Sequence, residues 1–77
     1  MKLDINSLKY YLKENPHDLL FMYNDEESLV RQDNIDEFEV HIDNINTVIA
    51  GIDNLFEYKI ENKTILDILS NADITLG

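Results

Sequence analysis

The sequence predicts an α+β domain: a small antiparallel sheet of three to five strands with an N-terminal and a C-terminal helix. Three observations predict it. Apolar residues recur at helical spacing near both ends of the chain, they alternate with charged residues in the middle, and Pro16 and the polar run 24–28 separate the patterns.

The first helix is expected over 5–14. Ile5, Leu8 and Leu12 share one face with Tyr11 alongside, and Asp4 or Asn6 is placed to cap the start. Asn15 ends it, because the residue before a proline is pushed out of helical geometry. Tyr10 and Tyr11 are adjacent and cannot both face the core, so at least one is expected at the surface.

Leu19 to Tyr23 is a short apolar run that reads as a buried strand, followed by a turn over 24–28 and a returning strand beginning at Leu29 and Val30. Phe38, Val40 and Ile42 alternate with Glu37, Glu39, His41 and Asp43, the period-two pattern of a strand with one acidic face. Residues 44–56 support two readings. Ile45, Val48, Ile49, Ile52, Leu55 and Phe56 fit a helix face, whereas the Thr, Val and Ile content and Gly51 favour a strand, which is the reading preferred. Phe56, Tyr58 and Ile60 alternate with charge and suggest one more strand. Thr64 then caps a closing helix with Asp67 in its first turn and Ile65, Ile68, Leu69 and Ala72 as its buried stripe. There is no internal repeat, low-complexity tract or flexible linker.

At 77 residues, the chain is expected to form one domain, 1–77, around one small core. Such a core leaves roughly 3–5 kcal/mol of net stability. Without cysteine there is no disulfide to add to it, so dimerisation is a second route to stability.

The charge is segregated. Net charge is −10, and residues 18–57 hold eleven acids against Arg31 alone. Ten uncompensated carboxylates match the charge on about 17 Å of nucleic-acid duplex. Free nucleic acid and anionic membranes are disfavoured as partners, because no basic cluster exists to meet phosphates. A solvated acidic surface that keeps a small protein soluble accounts for the same composition.

The chemistry of catalysis is sparse. Lack of cysteine removes thiolate chemistry and Cys-ligated metals, and the two histidines, His17 and His41, have no zinc-site spacing. His17 is expected in a solvated loop, while His41, flanked by Glu39 and Asp43, is a candidate for a pH-sensitive contact. Only two glycines occur, so phosphate-cradling loops are ruled out, and the acidic runs lack the spacing and central glycine of a calcium loop. No enzyme activity, cofactor or metal is expected. Asn62-Lys63-Thr64 fits a glycosylation acceptor, but reads better as the start of a helix. The start of the chain has no signal-like apolar stretch, and the longest apolar run, Leu19–Tyr23, falls far short of the roughly 20 residues that cross a bilayer. A soluble, cytoplasmic protein is the expectation.

The leading functional expectation is an acidic, non-catalytic inhibitor or regulator that imitates nucleic acid. It would occlude a basic, nucleic-acid-binding surface of a partner protein, a profile associated with phage and mobile elements. Its partner-binding residues are expected to be Asp25, Glu26, Glu27, Asp33, Asp36, Glu37, Glu39 and Asp43. The alternative is a structural or assembly subunit, homodimeric through an apolar interface at a sheet edge or around Tyr10 and Tyr11. An antitoxin or immunity-type protein shares the acidic-face physics of the first reading.

Overall fold

The computed structural model describes residues 4–77. Its elements are α1 (Ile5–Glu14), β1 (Asp18–Tyr23), β2 (Glu26–Asn34), β3 (Glu37–Ile42), β4 (Ile45–Ala50), α2 (Ile52–Glu57), β5 (Lys59–Ile60), β6 (Lys63–Thr64), α3 (Ile65–Ser70) and β7 (Thr75–Leu76). The fold is a small α+β fold in which β1 to β4 form an antiparallel meander and β7 joins its far side, in the order β4-β3-β2-β1-β7. The two-residue strands β5 and β6 pair separately as a hairpin.

Alternation along the strands sorts their side chains between two faces. Leu19, Phe21, Val30, Phe38, Val40, Ile42 and Ile49 are buried and share one core with Leu8 and Leu12 of α1, Leu55 and Phe56 of α2, and Ile65, Ile68 and Leu69 of α3. The helices therefore cover one face of the sheet and leave the other to solvent. Burying each large apolar side chain contributes about 1.5–3 kcal/mol.

The helix starts follow the sequence. The Asp4 carboxylate accepts from the Ser7 N–H at 3.4 Å, and the Thr64 hydroxyl accepts from the Asp67 N–H at 3.1 Å. Helix α1 ends at Asn15, whose backbone is extended as the following proline requires. Proline has no N–H, so the Leu12 carbonyl lacks its ordinary donor four residues on. Gln32 supplies one: its Nε2 donates to the Leu12 carbonyl at 2.7 Å and to the Ile35 carbonyl at 3.3 Å, while its Oε1 accepts from the His17 N–H at 2.9 Å. His17 itself is half-buried, with its ring edge-on to Tyr11, rather than fully solvated as a loop position suggests. Both Tyr10 and Tyr11 are exposed.

Three local expectations are corrected. The turn after β1 takes only Asn24 and Asp25, with φ of 52° and 63°, so β2 begins at Glu26 rather than Leu29. Two successive left-handed residues match the twist of the flanking strands, and Asn and Asp tolerate that geometry. Residues 44–56 are neither wholly strand nor wholly helix. Gly51, at φ 89°, ends β4 and opens α2, a backbone turn that side chains resist. The strand expected over Phe56 to Ile60 shrinks to Lys59–Ile60, because Phe56 belongs to the buried side of α2.

Replacing Gln32 by Leu leaves the Leu12 carbonyl and the His17 N–H without their buried partner. Each such loss costs roughly 1–3 kcal/mol, and in a domain this size each kcal/mol lowers Tm by about 4–8 °C. Thermal unfolding followed by circular dichroism should show a fall of at least about 10 °C, whereas an unchanged Tm would show that Gln32 is dispensable.

Candidate functional site

The solvent face of the meander carries the candidate site, and strand register determines which side chains meet there. One cross-strand row runs Asp18, Arg31, Glu39, Val48; a second runs Leu20, Leu29, His41, Asn46. Met22 lies opposite Glu27, and Glu37 opposite Ala50. Arg31, the one cation between residues 18 and 50 apart from any charge on the histidine, thus sits between two carboxylates, Asp18 and Glu39. Asp18 was not among the expected site residues, because it stands at the very start of its strand, where alternation gives no reading. The pairing register exposes its role.

The eight expected residues do not form one cluster. Asp33, Glu37 and Glu39 lie together on the solvent face beside Arg31, with Asp36 in the turn at that end of the sheet. The Asp36 backbone is engaged: its N–H donates to Asn34 Oδ1 at 2.9 Å and its carbonyl accepts from the Gly51 N–H at 2.7 Å. Asp25, Glu26, Glu27 and Asp43 lie at the opposite end, where the β1–β2 and β3–β4 turns sit side by side. Tyr23 is there too, its hydroxyl 3.5 Å from Glu61 and its ring 6.0 Å from the Lys63 ammonium. Loss of hydration, then the negative charge of Glu61, pushes the Tyr23 hydroxyl above its ordinary range.

The carboxylates around Arg31 perturb one another. Loss of hydration and the neighbouring Glu39 raise the Asp33 carboxyl, while the hydrogen bond from Asp33, followed by that from His41, lowers Glu39. When the pair holds one proton, it resides on Asp33 and is donated to Glu39. Glu37 adds further repulsion at Asp33, and Arg31 offsets part of it.

His41 bridges this cluster to β4. Its Nδ1 is 2.6 Å from Asn46 Oδ1 and its Nε2 is 3.3 Å from Glu39 Oε1. Both neighbours are oxygen acceptors, and only the doubly protonated ring donates to both at once. The Asn46 contact first, and Glu39 second, hold the His41 pKa above its ordinary 6.5.

An apolar patch shares the face. Leu20 and Met22 of β1 are 45% and 55% exposed, Leu29 beside them is half-buried, and Val48 on β4 is 58% exposed. Leu20, Met22, Glu27 and Thr75 contribute to the wall of an open groove of about 370 Å³ along the β1–β7 side. Among the described residues, no group of three or more His, Asp or Glu side chains is arranged to hold a metal ion, and no helix is long and apolar enough to cross a membrane.

No protein-family model matches this chain, and neither a curated protein nor a solved structure matches it significantly.

Because its folded-state pKa is raised, protonated His41 contributes stability that is fully present below the unfolded value near 6.5 and is lost as pH rises through the folded value. A titration followed by NMR should place the His41 midpoint above 6.5, and Asn46→Ala should move it downward. A midpoint at or below 6.5 in the unaltered protein would show that the two oxygen contacts do not stabilise the imidazolium.

Proposed function

We propose that this is a non-catalytic binding protein whose acidic sheet face docks onto, and occludes, a basic nucleic-acid-binding surface of a partner protein. The observation that carries this reading is the concentration of negative charge in the sheet layer, where almost no cation offsets it. Residues 18–50, the meander with its turns, hold nine acids against Arg31. The described lysines, Lys9, Lys13, Lys59 and Lys63, all lie in α1 or the β5–β6 hairpin. Lys9 is moreover engaged with Asp53 of α2 at 2.9 Å.

Spacing supports the same reading. Asp18, Glu27, Asp33, Glu37 and Glu39 point to the solvent face, and Asp25, Asp36 and Asp43 lie at its two ends. The molecule measures 29 × 25 × 19 Å. Eight carboxylates thus share one face of these dimensions, a concentration of negative charge that a cationic surface would meet.

Loss of hydration, then the neighbouring Glu39, raises the Asp33 carboxyl, so a cation brought to this corner of the face would favour its ionised form. Carboxylates would steer a cationic partner and accept charge-assisted hydrogen bonds from its Arg and Lys side chains. Leu20, Leu29 and Met22 would supply the apolar contact that interfaces place inside a polar rim.

The test is capture from a lysate of the source cell, washed across a salt series and challenged with duplex DNA. The expected result is a basic nucleic-acid-binding protein released by salt, displaced by DNA and lost by at least tenfold with Glu37→Lys/Glu39→Lys. Glu14→Lys/Glu57→Lys, the same charge change on the helical side, should retain it. Equal retention by both pairs, or a partner indifferent to salt and DNA, would overturn the proposal.

A further inference from the structure

The β4 edge of the sheet stands out against the rest of the molecule. Charged residues make up 29% of the chain, yet β4 reads Ile-Asn-Thr-Val-Ile-Ala without a charge, a proline or a bulge. Edge strands of monomeric proteins ordinarily carry such protection, because their outer N–H and C=O groups are open to another strand.

The direction of those groups follows from the hydrogen bonds on the other side. The Gly51 N–H donates to the Asp36 carbonyl, which continues the β3–β4 register of Phe38 with Ile49, Val40 with Thr47 and Ile42 with Ile45. In an antiparallel ladder the bonded pairs alternate, so the N–H and C=O groups of Asn46, Val48 and Ala50 face outward. Val48, at the middle of this edge, is the exposed large apolar residue of the strand.

We infer that β4 pairs antiparallel with β4 of a second copy of this chain, joining two sheets about a twofold axis at Val48. In this register Val48 meets the partner's Val48, and Asn46 meets the partner's Ala50. Every outward group of the three residues then finds a complement. The Ala50 carbonyl already accepts from Asn54 Nδ2 at 2.9 Å, so the bonds at the two ends of the seam share that acceptor and those at Val48 do not.

Charge permits the pairing despite −10 on each chain. The nearest carboxylate row on the solvent face is that of Glu39, one strand in from the edge. Across the seam, two such rows are three strand spacings apart, about 14 Å, which exceeds the Debye length of about 8 Å at physiological ionic strength. The seam itself brings only Asn, Val and Ala together. The assembly also closes. The opposite edge is β7, two residues long, so pairing through β4 ends at a dimer and does not propagate. A single strand edge falls within the small-interface class, below about 1,200 Å² in total, so affinity in the micromolar range or weaker follows. The twofold axis stands perpendicular to the sheet and turns both acidic faces the same way. The inference is independent of what those faces bind.

Sedimentation velocity of the whole chain, from about 10 μM to about 1 mM, tests it. The unaltered protein should pass from monomer to dimer and should dimerise more tightly at high salt, because salt screens like charges; the acidic-face complex responds in the opposite sense. Val48→Lys should weaken the dimer at least tenfold, although it lowers the net repulsion between chains. Val48→Pro, which removes an outward N–H only, should do the same, and unchanged circular dichroism identifies the variants that remain folded. A monomer throughout the range, or a dimer as tight in folded Val48→Lys as in the unaltered protein, would overturn the inference.

Discussion

The fold depends on a single side chain that does the work a proline cannot. Helix α1 must stop and the chain must turn into β1 within three residues, and Pro16 achieves this by excluding helical geometry at Asn15. The same proline removes the donor that the Leu12 carbonyl needs. Gln32, from the middle of the sheet, replaces that donor, holds the His17 N–H with its other atom and reaches the Ile35 carbonyl. One buried amide thereby ties the end of the first helix, the first connection and the β2–β3 turn to each other. It holds the end of α1 through the Leu12 carbonyl, and Leu8 and Leu12 of that helix pack into the shared core.

From this arrangement the two faces of the meander acquire opposite characters. The inner face is apolar because three helices cover it, and the outer face is free to carry charge. Alternation alone would have put one carboxylate beside another across β2 and β3. Arg31 interrupts that pattern between Asp18 and Glu39, and His41 meets Glu39 and Asn46. The outer face is consequently a balance of repulsion at Asp33 with partial neutralisation by Arg31 and His41. On the proposed reading, an approaching cation would relieve that repulsion. The apolar Leu20, Leu29 and Met22 lie beside it, with Glu27 opposite Met22 at their end of the face.

The edges of the sheet complete the division of labour. On one side β7 is so short that it offers little to pair with, and on the other β4 presents a clean, uncharged ladder. Gly51 delimits that ladder by turning the chain into α2, and Asn54 occupies the carbonyl at its last residue. The surfaces proposed for a cationic partner and for a second copy of the chain are therefore adjacent but separate, one made of side-chain charge and the other of backbone groups.

Much of the fold was legible from local pattern. The first and last helices, their caps at Asp4 and Thr64, and the strands at Leu19–Tyr23 and Glu37–Ile42 are written in spacing that repeats within a few residues. The accumulation of acids around residues 18–57 was equally plain. Residues 44–56 resisted a single reading because both periodicities are present, one on each side of Gly51, and a window spanning the two mixes them. The site was legible only in part for a different reason. Acid identity is a property of the chain, whereas the neighbours of an acid are a property of the register: Asp33 and Glu39 meet across strands, Asp18 joins Arg31 from thirteen positions away, and Asp25 and Asp36 go to opposite ends of the sheet. The sequence by itself determined the first and last helices, the strands on either side of the β2–β3 turn, most of the core residues and the sign of the surface, since these depend on spacing and composition. Tertiary structure alone decided which charges stand together and which strand edge stays open, because those depend on hydrogen-bond pairing between residues that the chain keeps apart.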